Sequence, residues 1–83
     1  MQLHYFAWVR EKIGSANEVV SPPPKVATVS DLIQWLSAQG EGYTAAFADL
    51  ATIRVAVNQE YVKMDHPIAT DDEIAFFPPV TGG

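Results

Sequence analysis

The sequence predicts an α+β fold: a single small domain with one mixed sheet and one main helix packed across one face. Three observations carry that reading. The chain has 83 residues, below the roughly 100 to 200 typical of a domain, so two domains will not fit. A hydrophobic content of 48% can fill one core, and the length exceeds the limit of about 40 residues below which disulfides or metals become necessary. Apolar residues fall into short alternating runs on either side of a single stretch with helical spacing.

The elements follow in order. Leu3 to Val9 is an aromatic and β-branched run and Glu18 to Val20 a second short one, with Arg10-Glu11-Lys12-Ile13-Gly14 between them as a turn, which predicts an opening hairpin. Pro22, Pro23 and Pro24 each lack the amide hydrogen a ladder needs, so an extended linker comes next. Thr28 with Asp31 forms a variant capping box, and Val29, Leu32, Ile33 and Leu36 recur at i, i+3, i+4 and i+7. Those residues predict an amphipathic helix that stops at Gly40, with a weaker helical turn at Tyr43 to Phe47. Ile53, Val55 and Val57 alternate as a strand, Asn58-Gln59 turns, and Glu60 to Met64 returns until Asp65-His66-Pro67 breaks it. Asp71-Asp72-Glu73 leads into the last strand, Ile74-Ala75-Phe76-Phe77, which Pro78-Pro79 ends. This order is that of a ubiquitin-like β-grasp, with residues 1–77 as the domain and 78–83 as an extended tail.

Charge and composition exclude whole classes of function. Five basic residues, Arg10, Lys12, Lys25, Arg54 and Lys63, are scattered against ten acidic ones for a formal charge of −5. No phosphate-tracking stripe exists, so neither nucleic acid nor an anionic membrane is an expected partner. The acidity suits a basic protein surface, although solubility explains it equally well. Without cysteine there is no disulfide, thiolate nucleophile, iron–sulfur cluster or cysteine-type zinc site. His4 and His66 sit in different elements and lack the spacing of a metal pair, so no metal site is expected. Asp71, Asp72 and Glu73 lack the order of a calcium loop and are read as a solvated turn. No nucleophile elbow and no phosphate-cradling glycine loop appears, so the chain is not expected to be an enzyme. The start of the chain lacks the features of a signal peptide and no run approaches a membrane span, which predicts a cytoplasmic protein.

One feature demands more. The chain ends Phe76-Phe77-Pro78-Pro79-Val80-Thr81-Gly82-Gly83, and with glycine at about 7% a terminal pair arises in roughly one chain in 200. A strand anchored in the sheet is followed by two stiff prolines and then by ever smaller side chains. Four residues beyond Pro79, at about 3.3 to 3.6 Å each, reach roughly 13 to 14 Å, enough to enter another protein's active site. Glycine passes a narrow channel without Cβ clashes, so Pro78, Pro79, Val80, Thr81 and Gly82 thread while Gly83 presents its carboxylate. A frayed end is the competing explanation.

Phe-Pro-Pro-Val-x-Gly-Gly resembles the C-terminus of the small, sulfur-carrier subunit of molybdopterin synthase. Val9-Arg10-Glu11 with Gly14, Val57-Asn58-Gln59 and Asp65-His66-Pro67 extend that resemblance over essentially the whole chain, while the run Pro22 to Pro24 stands outside it. The resemblance implies a β-grasp sulfur carrier. Its terminal Gly83 would be adenylated with ATP by an activating enzyme related to ubiquitin-activating enzymes, then converted to a thiocarboxylate by a sulfur donor. The tail would enter the large synthase subunit and deliver sulfur to cyclic pyranopterin monophosphate. Catalytic residues would belong to that large subunit, and no bound cofactor is implied. Two other outcomes use the same features: a thiamine-pathway carrier or ubiquitin-like protein modifier, and a non-covalent binding module with an inert tail.

Strand parity says where a partner would sit. Leu3, Tyr5 and Ala7 share one face and His4, Phe6 and Trp8 the other; Ile74 and Phe76 oppose Ala75 and Phe77. If Ile74 and Phe76 meet the helix, then Phe6, Tyr61 and Phe77 form an outward aromatic patch beside the tail root. Arg54 and Ala56 share that face.

Overall fold

A computed structural model describes residues 1–79 of the chain. Five strands, β1 (Gln2–Tyr5), β2 (Asn17–Val19), β3 (Arg54–Val57), β4 (Glu60–Val62) and β5 (Glu73–Phe77), form one sheet in the order β2-β1-β5-β3-β4. β1 and β5 run parallel and the other neighbours antiparallel. Three helices, α1 (Ala7–Ile13), α2 (Val29–Ser37) and α3 (Glu41–Ala46), accompany it, with a short 3-10 turn at Leu50–Thr52. The expected β-grasp is therefore the observed fold.

Alternation builds the core. Leu3 and Tyr5 of β1, Val55 and Val57 of β3, and Ile74 and Phe76 of β5 are all buried, as residues two apart on one sheet face must be when a helix covers that face. α2 supplies the cover through Val29, Leu32, Ile33 and Leu36, all buried. Its start is held by a reciprocal capping box: the Asp31 amide donates to Thr28 Oγ1 at 3.2 Å, and the Thr28 amide to Asp31 Oδ2 at 3.2 Å. Phe76 lies at the centre, its ring stacked 6.0 Å from Tyr5 and meeting Phe47 edge-on at 5.1 Å.

The first connection differs from the expected hairpin. β1 stops at Tyr5, and the stretch with the composition of strand end and turn is helix α1, which enters through Ala7 at φ 54° and ends at Gly14 with φ 88°. The Gly14 amide donates to the Arg10 carbonyl at 2.8 Å, a left-handed termination that glycine adopts without steric cost. β-branched and aromatic composition favours a strand here, but Val9 and Ile13 are one helical turn apart and both face the core. Arg10 and Lys12 also suit the negative end of a helix. Two face assignments change as a result: Ala7 is exposed and does not join Leu3 and Tyr5, and Trp8 packs half-buried against the core and leaves the outer face. β1 and β2 nonetheless pair antiparallel as expected.

A second difference concerns Gly40. The main helix ends earlier, capped at Ala38, and Gly40 instead opens α3, the element that the sequence marks only as a weak turn. α3 packs closely on α1 because Gly42 has no side chain; a Cβ there would lie 2.5 Å from the Lys12 carbonyl oxygen. Replacing Gly42 by alanine should force the helices apart and destabilise the domain by about 1 to 3 kcal/mol. Gly40→Ser, where the nearest atom to a Cβ is 3.7 Å away, should be close to neutral because serine is a favoured N-cap. Urea melts of both variants against the parent check this pair.

One polar cluster ties the helical layer to the sheet edge. Glu18 of β2 accepts hydrogen bonds from the Tyr5 hydroxyl (2.6 Å to Oε1) and the Tyr43 hydroxyl (2.8 Å to Oε1, 3.0 Å to Oε2), which joins β1, β2 and α3 through one carboxylate. Burial, and after it the hydrogen bond and negative charge of Glu18, push the Tyr5 hydroxyl far above the ordinary phenol range. Since folded Tyr5 keeps its proton while the unfolded chain's tyrosine ionises near pH 10, its contribution is fully present below that pH and is lost above it. Stability should fall above about pH 10, by up to about 1.4 kcal/mol per pH unit for this group. Tyr5→Phe should flatten that decline in denaturant melts between pH 8 and 11.

Candidate functional site: the outer sheet face at the tail root

Pairing register fixes what lies on the uncovered face. β5 is central, and its outward residues are Glu73, Ala75 and Phe77. Phe77 stands opposite Arg54, and Ala75 opposite Ala56, which in turn faces Tyr61 on the edge strand β4. On the other side His4 is level with Ala75. The first residue after β1, Phe6, is held beside β5 by its amide, which donates to the Phe76 carbonyl at 3.1 Å.

The expected aromatic patch is therefore on one face. Tyr61, 79% exposed, and half-buried Phe77 pack with ring centroids 5.4 Å apart, and Phe6 is 52% exposed. Arg54 lies beside them with its guanidinium folded back, donating to the carbonyls of Ile53 (2.9 Å) and Ala51 (3.2 Å). Two shallow depressions divide the face. The smaller, about 210 Å³, lies among Arg54, Val55, Tyr61, Val62 and Phe77. The larger, about 300 Å³, is floored by Ala56 and Ala75 and bounded by Phe6, His4, Gln59 and Glu73.

Sequence reasoning misses these last residues. Strand parity puts His4 on this face but gives it no role, and the acidic run makes Glu73 look like part of a solvated turn; the two side chains meet, His4 Nε2 to Glu73 Oε2, at 3.3 Å. The strand alternation that marks Phe77 marks Glu73 equally, but an acidic residue after two others reads first as solvent-facing. Asp72 holds the neighbouring turn together, accepting from the Ala69 amide at 2.7 Å and from Asn58 Nδ2 at 2.9 Å. Asn58 also accepts from the Glu73 amide at 3.0 Å and donates its own amide to the Glu73 carbonyl at 2.8 Å. Asn58 and Gln59, at φ 51° and 71°, form the tight β3–β4 turn and lock the start of β5.

Pro78 and Pro79 continue directly from Phe77, both half-buried. The remaining tail positions, Val80, Thr81, Gly82 and the expected carrier Gly83, lie outside the described residues. Among the described residues no cluster of three or more His, Asp or Glu could hold a metal ion, and no helix is long and apolar enough to cross a membrane.

A mixed five-stranded sheet in the order β2-β1-β5-β3-β4 with its main helix across one face defines a ubiquitin-like β-grasp protein. The chain belongs to the ThiS family, whose model matches residues 3–83. It is 46% identical to the molybdopterin synthase sulfur carrier subunit of Escherichia coli (strain K12), covering 95% of this chain and 94% of that protein. Among solved structures it resembles a proposed molybdopterin-converting factor subunit 1 from Pyrococcus furiosus, with TM-score 0.77, 30% identity and 95% of each chain covered. It also resembles small archaeal modifier protein 1 from Haloferax volcanii, with TM-score 0.74, 30% identity, and coverage of 100% of this chain and 98% of the other. The resemblance to sulfur-carrier subunits read from the sequence is borne out.

The face assignment has a direct consequence for stability. Phe6→Asp should leave the domain folded, within about 1 kcal/mol of the parent, because an exposed charge stays hydrated. Val55→Asp should unfold it, since an unpaired buried carboxylate costs several kcal/mol of a total of about 5 to 15. Circular dichroism melts of the two variants decide which face is the core.

Proposed function

We propose that this chain is a sulfur carrier for molybdopterin synthesis and acts as a co-substrate with no catalytic groups of its own. The observation that carries the reading is β5: one strand that is buried through Ile74 and Phe76, turns Phe77 to the uncovered outer face, and is followed in sequence by Pro78-Pro79 and then Gly82-Gly83. The 46% identity to a sulfur carrier subunit supports it.

In this reading the Gly83 carboxylate is adenylated with ATP by a ubiquitin-activating-type enzyme. Activation is chemically required, because a carboxylate is a poor electrophile and hydroxide a poor leaving group, whereas AMP leaves readily. A sulfur donor displaces AMP to give the thiocarboxylate. The chain contains no cysteine, so its sulfur is carried on a carbonyl carbon. Phe6, Tyr61, Phe77 and Arg54 dock on the large synthase subunit while Pro78 through Gly82 lead Gly83 into that subunit's site. There the sulfur passes to cyclic pyranopterin monophosphate, and two deliveries complete the dithiolene that binds molybdenum. Catalytic residues reside on the large subunit, and all steps take place in the cytoplasm.

A second reading is favoured by the likeness to an archaeal modifier protein: the same adenylate is passed to a lysine of another protein. Intact mass of the chain from its own host separates the two. A carrier shows a fraction with one oxygen exchanged for sulfur, a modifier appears in covalent conjugates, and an inert tail shows neither.

Tail length is the sharpest test. Deleting Gly83 withdraws the reacting carbonyl by about 3.3 to 3.6 Å, where a misplacement of about 1 Å already costs about a hundredfold in rate. A one-residue extension converts the Gly83 carboxylate into an amide, and Gly82→Ala adds a Cβ and removes positive φ. All three should lose adenylation and sulfur transfer while still docking on the large subunit. Phe77→Asp should do the reverse, weakening docking by about 2 kcal/mol or more. Sulfur transfer at the parent rate by the deletion or the extension would falsify the carrier reading.

A further inference from the structure

We infer that the larger depression on the outer face is a socket for one lysine or arginine side chain of the large subunit, with Glu73 as its anionic rim. The inference rests on the docking role assigned to this face and goes beyond the aromatic patch to name what the other half of the face binds.

The socket has an apolar floor and a charged edge. Ala56 and Ala75 are register partners on neighbouring strands, and their methyl groups leave a hollow of about 300 Å³ in the middle of an otherwise large-residue surface. Phe6 forms one wall, and Gln59 and the His4–Glu73 pair form the rest. The Glu73 side chain is 44% exposed, lines the hollow and meets His4 through one of its two carboxylate oxygens, so acceptor capacity remains toward the hollow. An apolar hollow with a carboxylate at its rim and an aromatic ring beside it fits a side chain that has an aliphatic stem and a cationic head. Neither a plain aliphatic residue, which leaves Glu73 half-desolvated without a partner, nor an acidic one fits as well.

The distribution of charge on the face points the same way. Arg54 is level with Phe77 and Glu73 lies four residues earlier on β5, a separation of about 13 Å along the strand. The tail end of the face is thus positive and the far end negative. A partner cation is repelled from the tail root and drawn to Glu73, which orients the partner along β5. The chain's overall charge of −5 adds long-range attraction to a basic surface.

The experiment measures affinity for the purified large subunit by calorimetry for Glu73→Gln, Glu73→Lys, Ala75→Leu and Phe77→Asp, with melts confirming that each is folded. Losing the ionic contact in Glu73→Gln should weaken binding about tenfold and reduce its salt dependence, and Glu73→Lys should weaken it about a hundredfold. Ala75→Leu fills the hollow and should weaken binding at least as much as Glu73→Gln, while its salt dependence persists. Reversing one lysine or arginine of the large subunit should restore binding to Glu73→Lys alone. If Phe77→Asp abolishes docking but the Glu73 and Ala75 variants bind like the parent, the socket is wrong and the docking face stands. If all four bind like the parent, the docking face itself is wrong and the socket falls with it.

Discussion

Phe76 is the residue on which the molecule turns. Its side chain is fully buried, stacked against Tyr5 and met edge-on by Phe47, and its carbonyl accepts the Phe6 amide that ends β1. Because strand side chains alternate, anchoring Phe76 inward leaves Phe77 one direction only. The outward placement of Phe77, the point at which Pro78-Pro79 leaves the sheet and the placement of Phe6 are therefore consequences of one packing decision at the centre of the sheet. A register slip of one residue would bury the face and expose the core together, at a cost no small domain could absorb.

Much of this is readable in the sequence because it rests on period-2 alternation and on capping chemistry, both of which are local. Ile53, Val55 and Val57, then Ile74 and Phe76, declare a buried face by themselves, and Thr28 with Asp31 declares a helix start. The opening is harder. Phe6-Ala7-Trp8-Val9 has the composition of a strand, and only the tertiary burial of Val9 and Ile13 one turn apart makes it helical. Propensity loses there to packing, which is the usual direction of such conflicts. Nor can Gly42 be understood from its neighbours in sequence. Its reason is the Lys12 carbonyl, on a helix separated from it by two elements of the fold, β2 and α2.

The candidate site shows the same division. Aromatic residues on an outward parity announce themselves, which is why Phe6, Tyr61 and Phe77 are legible. Small residues do not: Ala56 is only 7% exposed, and its part in the face is to leave space. Glu73 is concealed by its neighbours, because Asp72 beside it is committed to backbone and Asn58 contacts that hold the β3–β4 turn against the start of β5. Asp72 and Glu73, adjacent acidic residues, thus have unlike roles, and only the hydrogen bonds of the one and the strand register of the other tell them apart.

The two faces of the sheet also divide the demands on the chain. Stability resides in the core on the helical side and in the Glu18 carboxylate that joins two tyrosines across β1, β2 and α3. The outer face lies on the opposite side of the same sheet, where exposed side chains can change with little effect on folding. A docking role for that face, as proposed above, would therefore let it vary without weakening the core. β5 belongs to both, because its inward residues hold the fold while its outward residues line the uncovered face and the chain continues from it into Pro78-Pro79. For the carrier role proposed above, stiffness at Pro78 and Pro79 would preserve the direction of β5 past the sheet edge, where a flexible linker would spread the chain over many positions and lower the fraction poised to react.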